Sequence, residues 1–414
     1  MTGTDGIDFD ALETCLRTQA LEIGRVALQT GLQRYAAIAA VSPGPGACGH
    51  TPHRSGIRAK TVHTVLGPVL IHRPYYHDAS CGRGIAPLDR LLDIEGISFS
   101  PGLRNMMANV GCSGAFDQAA RQLARLAGVA VSASSIERVC AHVAPEVERY
   151  RQSLPPNSDL RALTSVLKTQ TLYIQLDGTG FPVLKRETVG RKGKGADGEA
   201  QTREMKVGCV FTQSHLNEQG HPVRDEASTS YIAGCITAAE FGPWLAHEAR
   251  VRGLDKVRRV VVIGDGALWI WNLVADLFPL AIPIVDLYHA REHYAAIARL
   301  VFPAASARLE EWCEQRKQEL DRGDVSAVIT AVAALAMSSK QRRKEQEKAI
   351  GYFRNNAHRM RYDVFRKQGL FVGSGVIEAG CKTVVGQRLK QSGMHWTVQA
   401  GHNIAGLRTL MLSK

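Results

Sequence analysis

The chain of 414 residues carries 51 Lys plus Arg against 39 Asp plus Glu, a formal net charge of +12, which points to a polyanionic partner, either nucleic acid or an anionic membrane surface. With 45% hydrophobic and 22% charged residues the composition excludes wholesale disorder. The most apolar stretch, Val260 to Val285, is broken by Asp265, Asn272, Asp276 and two prolines, which excludes a membrane-spanning helix there. Asp5, Asp8 and Asp10 stand where a secretory signal needs a positive start and then an apolar run, so a cytoplasmic location is expected. Nine cysteines with no CxxC pair read as reduced thiols.

Apolar residues at helical spacing, among them Leu12, Leu16, Ile23 and Val26, predict a helical arm over 1–41. A module over 42–95 follows, in which a Pro/Gly stretch precedes two alternating segments around Gly67 that read as a β-hairpin. Its ends carry Cys48, His50 and His53 on one side and His77 and Cys81 on the other. A structural zinc needs four nitrogen or sulfur ligands from adjacent turns. One cysteine on each side is poor spacing for that, so the hairpin is read as metal-free.

The region 96–150 reads as helical. Two helices, 115–128 and 134–144, meet at a turn around Gly128, with Ser134 and Glu137 as a capping box for the second. This is the outline of a helix-turn-helix that would offer Arg138 to a DNA groove; a plain helical hairpin with a solvated polar face is the alternative.

After Pro155 and Pro156 the pattern changes to strands at 171–177, 206–213 and 228–234, a helix at 237–253, a strand at 258–266, a helix at 268–278, a strand at 281–288 and helices from 290 to 350. That order predicts an α/β domain built on a mixed sheet with helices on both faces. Asp177 and Asp265 each close a predicted strand with glycine immediately after, in LDGTG and IGDGA. Ligands of open α/β sheets sit just beyond such strand ends. Two carboxylates aimed into one crevice repel unless a cation or proton intervenes, and oxygen-only ligands favour magnesium or manganese. The plain alternative for either Asp-Gly alone is a turn. A third carboxylate, Glu378, lies near the start of a helix followed only by basic residues, of which Lys382, Arg388 and Lys390 are placed to meet a phosphate backbone.

Taken together, YIQLDGTGFPVLKRETVGRKGKGADGEAQTREMKVGCVFTQ, VVIGDGALWIWNL, IVDLYHAREH and GLFVGSGVIEAGCKTVVGQRLKQSGMHWT resemble the DDE transposases of bacterial insertion sequences, specifically the ISKra-type group, over nearly the whole chain. The resemblance implies an RNase H-like core in two parts, 165–300 and 371–414, around an all-helical insertion at 301–370. It implies two magnesium (or manganese) ions held by Asp177, Asp265 and Glu378. His289, with Asp286, falls where related transposases carry a (C/D)xxH signature, so it would approach the scissile phosphate or brace Asp265. The implied activity is binding of the element's terminal repeats, then metal-dependent strand cleavage and strand transfer. The implied partners are double-stranded DNA, as transposon ends and target, and further copies of the chain, because two ends must be held together; a nucleoid-associated location goes with them, and no membrane. Gly44 and Asp78 occupy positions where relatives place the cysteines of paired CxxC knuckles, so structural zinc is not expected.

With two metals, one ion activates water or a 3′-hydroxyl while the other stabilises the leaving 3′-oxygen. Lys185, Arg186, Arg191, Lys192 and Lys194, after the first strand, are candidates for gripping phosphates, with a solvated loop as the plain alternative. Trp396 is a candidate for stacking on an unpaired base beside the cut, with core packing as its alternative. Two rival functions are weaker. HAREH (289–293) matches the HxxEH zinc-peptidase pattern but leaves the three carboxylates unexplained. A catalytically decayed transposase acting only as a DNA-binding protein sits poorly with an intact triad.

Overall fold

The computed structural model describes residues 8–38, 43–45, 49–156, 171–193, 195 and 198–414. The chain divides into two compact units, Met1–Val143 and Ala144–Lys414.

In the first unit the alternating residues form β1 (His53–Thr64) and β2 (Gly67–Asp78), an antiparallel hairpin extended by the short β3 (Arg83–Ile85). The 30-residue helix Phe9–Ile38 lies along β2. Its Gln29 and Gln33 side chains accept the Leu70 and His72 amides, each at 3.0 Å, and Leu28, Leu32 and Ala36 pack with Val62, Val69 and Ile71. At the hairpin end Asp78 is buried, accepting the Cys81 thiol at 3.0 Å and the Ser80 amide at 2.9 Å. Cys48, a candidate ligand in the sequence, lies outside the described residues.

The two helices of the expected helix-turn-helix are Phe116–Gln122, continued by a wider turn over Leu123–Ala127, and Ala133–Ser153; Gly128 joins them at φ 71°. The second starts earlier and runs on past Pro145. The Ser134–Glu137 capping box does not form. Ser132 caps the helix instead, its hydroxyl accepting the Ser135 amide at 3.1 Å, because the chain enters the helix one residue before Ser134. Arg138 is exposed and donates to the Ser135 hydroxyl.

The second unit is built on a six-stranded mixed sheet. Its members are β4 (Thr171–Pro182), β5 (Thr202–Leu216), β6 (Pro222–Arg224), β7 (Ser230–Gly234), β8 (Arg259–Gly264) and β9 (Ile282–Val285), in the order β6-β5-β4-β8-β9 with β7 also paired to β5. β5 runs antiparallel to β4, β6 and β7, whereas β4, β8 and β9 are parallel. Thr171 to Leu176 are all buried, six in succession, so both pleat faces of β4 are covered. This mixed sheet flanked by helices matches the predicted class and is compatible with an RNase H-like core.

Strand boundaries differ from the sequence reading, β5 running longer than the expected 206–213 and β7 shorter than 228–234, and two of the differences bear on the site. β4 does not stop at Asp177; Gly178 and Gly180 lie inside it, paired with Lys206 and Glu204. Gly178 is thus a paired strand residue rather than a turn, with the movable Glu204 carboxylate lying over it. The parallel partner β8 does stop there, its last pair being Leu176↔Gly264, and Asp177 therefore stands where one neighbour ends and the other continues. β9 is shorter than expected because Asp286 caps the next helix, Leu287–Ala298, by accepting the His289 amide. The region from 301 to 370 contains four α-helices, Ala307–Asp321, Val325–Ala333, Lys340–Asn356 and Tyr362–Lys367; Ser306, Asp324 and Ser339 cap the first three.

Candidate active site

The residues that reach the cavity come from three places. Asp177 leaves β4 beside the end of β8, Asp265 follows β8 directly, and Glu378 lies in the short helix Gly375–Gly380. The last of these is far away in sequence, and buried polar side chains seat it. Gln175, wholly buried in β4, donates to the Gly373 carbonyl at 3.2 Å and accepts the Ile377 amide at 3.0 Å. Asp286 accepts the Ser374 amide with its second carboxylate oxygen, and Leu287 donates to the Val372 carbonyl. Every polar atom of the Gln175 amide group that faces the loop is thus used to fix it.

Asp177, Asp265 and Glu378 line one cavity of about 580 Å³ together with Asp286, His289, Glu292 and Ser374. Asp177 accepts its neighbour Gly178's amide at 2.6 Å and the Cys381 thiol at 3.3 Å. Burial raises its carboxyl above the usual range; the thiol and the amide oppose this, and the Asp265 charge adds to it. Asp265 accepts the Ala267 amide at 2.8 Å, and Glu378, exposed, accepts the Ser374 hydroxyl at 3.2 Å. His289 lies 3.7 Å from Glu292 at the cavity wall.

The helical region packs a ring stack against His289, outside the cavity lining. Tyr352 stacks on His293 with ring centroids 3.7 Å apart, and His293 in turn meets His289 edge-on at 5.0 Å. Burial, aided by His289, pushes the His293 imidazole down to about 4, so the ring is neutral at pH 7. Burial and the charges of Asp265 and Asp286 push the Tyr352 phenol up, and its hydroxyl has no hydrogen-bond partner among the described residues.

The three expected carboxylates and His289 share this cavity. The other candidates divide. Lys382 and Lys390 are exposed on the Glu378 side, and Lys390 donates to the Thr179 hydroxyl at 2.7 Å. Lys185, Arg186, Arg191 and Lys192 are exposed on the connection between β4 and β5; Lys194 lies outside the described residues. Arg388 and Trp396 are corrections to the sequence reading. Arg388 is wholly buried, its guanidinium 4.8 Å over the Trp396 ring, and Trp396 is 7% exposed with its indole N–H donating to the Leu389 carbonyl at 3.1 Å. The cation–π contact offsets part of the cost of burying the guanidinium, and at 0% and 7% exposure neither side chain offers a surface to DNA.

Gln175, Ser374, Cys381 and Tyr352 were not singled out in the sequence. Cys381 had a signal, its spacing of one helical turn from Glu378. Tyr352 had none, being distant in sequence from every acidic motif.

Among the described residues no group of three His, Cys, Asp or Glu side chains is gathered to clasp a metal ion, at the carboxylates or at His289 and His293. The donor chemistry at the carboxylates nonetheless suits a hard cation: five carboxyl groups and a hydroxyl line one cavity, with Asp177 raised by burial and by the Asp265 charge. No helix among the described residues is long and apolar enough to cross a membrane.

No protein-family model matches the chain, and no curated protein sequence matches it. Among solved structures, the Drosophila P element transposase strand transfer complex is similar at 8% identity and a TM-score of 0.35, over 75% of this chain and 92% of that one, a likeness of outline on which no assignment rests.

Proposed function

We propose that the chain is a transposase of the insertion-sequence DDE type, which binds the ends of its element and performs metal-dependent DNA strand cleavage and strand transfer. The observation that carries this reading is the meeting of Asp177, Asp265 and Glu378 on one cavity, where the central strand β8 ends beside β4. Asp177 and Asp265 would hold two magnesium or manganese ions with Glu378 as the third ligand, its exposed side chain turning inward from Ser374. When bound, the ions supply activation of the attacking oxygen and stabilisation of the leaving 3′-oxygen.

The protein's own side chains do the remaining work. Gln175 and Asp286 hold the Glu378 segment to the sheet, which keeps the third carboxylate on the lining of the cavity that Asp177 and Asp265 share. His289, at the cavity wall beside Glu292, is placed to orient a phosphate oxygen or take a proton from the attacking group. Lys382 and Lys390 supply positive charge on the Glu378 side, where a strand entering the cavity carries its phosphates. Duplex DNA is the partner, and a dimer or larger assembly follows from the need to hold two ends.

The test uses labelled duplexes taken from the DNA that borders the coding sequence, with magnesium or with EDTA, for the wild type and Asp265→Asn. Nicking at a fixed position that needs metal and vanishes in the variant is expected. Tight, salt-sensitive binding with no cut under any condition would instead leave a DNA-binding protein without the reaction.

A further inference from the structure

A second cavity of about 570 Å³ opens in the same unit, and its cations come from separate parts of the chain. Arg191 and Lys192 approach from the connection between β4 and β5, and Arg203 and Lys206 from β5 itself. The connection is folded back on itself, with the Ala200 amide donating to the Arg191 carbonyl at 2.9 Å and the Gly193 amide to the Gly198 carbonyl at 2.9 Å, so the first two cations are carried on a structured turn. Two acids also line the cavity, and both are committed. Glu204 pairs with Lys206 at 2.7 Å, and Glu240 turns back to accept the Thr237 amide and hydroxyl, each at 2.8 Å. Arg191, Lys192 and Arg203 are left as a net cationic group with no acid of the cavity paired to them in this way. Cys235, in the wall, is within reach of the charges of Arg203, Lys206, Glu204 and Arg191, while burial raises its thiol.

We propose that this cavity is a phosphate-binding subsite for a nucleic-acid backbone, separate from the carboxylate cavity. It deepens the transposase reading and rests on its choice of DNA as partner. The pairing of β4 with β5 gives the separation. Asp177 pairs with Val207 and the next residue, Gly178, with Lys206, and successive residues of a strand point to opposite faces. Lys206 and Glu204 therefore point away from the face that carries Asp177, Arg203 joins them from the alternate position opposite Phe181, and the two cavities share no lining residue. A strand held here is gripped away from the cut, so the site positions DNA and has no part in the chemistry. Arginine's planar fork suits phosphate oxygens, and an open cavity floored by cations without an aromatic lining suits a backbone passing through.

The test measures duplex binding by fluorescence anisotropy in EDTA, across a range of salt, for the full-length wild type, for the triple variant Arg191→Gln/Lys192→Gln/Arg203→Gln and for the exposed double variant Arg191→Gln/Lys192→Gln. Thermal unfolding confirms that each variant folds, and the double variant serves if Arg203→Gln disturbs the strand. The expected result is a loss of about tenfold or more in affinity and a fall in the salt slope of about 2 to 3, since each lost phosphate contact removes about 0.9. A folded variant that binds with wild-type affinity and slope overturns the subsite while leaving the cleavage reading standing. A calorimetric titration with pyrophosphate separates the sources: saturable pyrophosphate binding with unchanged DNA affinity in the variants would make this a free-anion site and overturn the backbone assignment. A wild type that neither binds nor cuts DNA would be the failure of the transposase reading itself.

Discussion

Cys381 donates its thiol proton to Oδ2 of Asp177 across 3.3 Å, from a position one helical turn beyond Glu378. The thiol occupies lone pairs that an incoming cation would need, and it is one of two donors that pull the Asp177 carboxyl back down against burial. Cys381→Ala removes that donor. In the variant the acid limb of the cleavage pH profile moves to higher pH, while the magnesium concentration for half-maximal rate falls because Oδ2 is released. Identical limbs and metal dependence in Cys381→Ala and the wild type would show the contact to be incidental.

Gly266 and Tyr352 are coupled by close packing. A methyl group built on Gly266 would stand 2.0 Å from Cε2 of the Tyr352 ring. Gly266→Ala is expected to cost about 1–3 kcal/mol, the usual range for forcing bulk into a filled site. Tyr352→Ala removes the obstacle, so adding Gly266→Ala to it costs little, and a double-mutant cycle by denaturant unfolding returns a coupling of about 1 kcal/mol or more. Additive costs would place the ring elsewhere.

His293 titrates near 4 in the folded chain against an ordinary 6.5. The unfolded chain therefore takes up a proton first as pH falls, so the stabilisation is complete above about 6.5 and is lost between 6.5 and 4. Allowing for a ring that is partly screened by solvent, the loss attributable to this residue is about 1–2 kcal/mol. His293→Gln flattens the stability profile across that interval by this amount, which unfolding measured at pH 4.5 and 7.5 resolves. An unchanged slope would mean that the ring is solvated.

Arg388 and the exposed lysines of the same segment should respond in opposite ways. Arg388→Ala empties a wholly buried position against Trp396 and is expected to destabilise by about 2–3 kcal/mol, with DNA affinity per folded molecule unchanged. Lys382→Gln/Lys390→Gln changes stability by less than about 0.5 kcal/mol and lowers the salt slope of DNA binding by about 2. Denaturant unfolding and anisotropy on both variants check the contrast; a weaker DNA complex with intact stability in Arg388→Ala would return that arginine to the surface.

How much of this was legible in the sequence depended on whether the signal was local. The apolar run of β8, the Asp-Gly that follows it and the helix expected over 237–253 are decided by neighbours in the chain, and each appears close to where it was read. Gly178 misled because β4 continues through it, paired with Lys206, instead of turning there. Asp286 looked like the end of a strand and is a helix cap, a distinction that depends on where Ser374 arrives. Arg388 lay on a segment rich in cations, and only the ring of Trp396 explains its burial. The three carboxylates were found from strand ends and an isolated charge, whereas the residues that hold them in place, Gln175 above all, carry no local mark.

The ties that seat the Glu378 segment join it to Gln175, Tyr173 and Asp286, residues placed 88 to 202 positions earlier. A chain still being synthesised has its two strand-end aspartates long before the third wall exists. Until residues 371–386 have emerged and docked, the acidic groups face an open groove, and a product arrested short of that point carries no assembled centre. Built this way, the fold would complete the proposed centre only in molecules translated through residues 371–386.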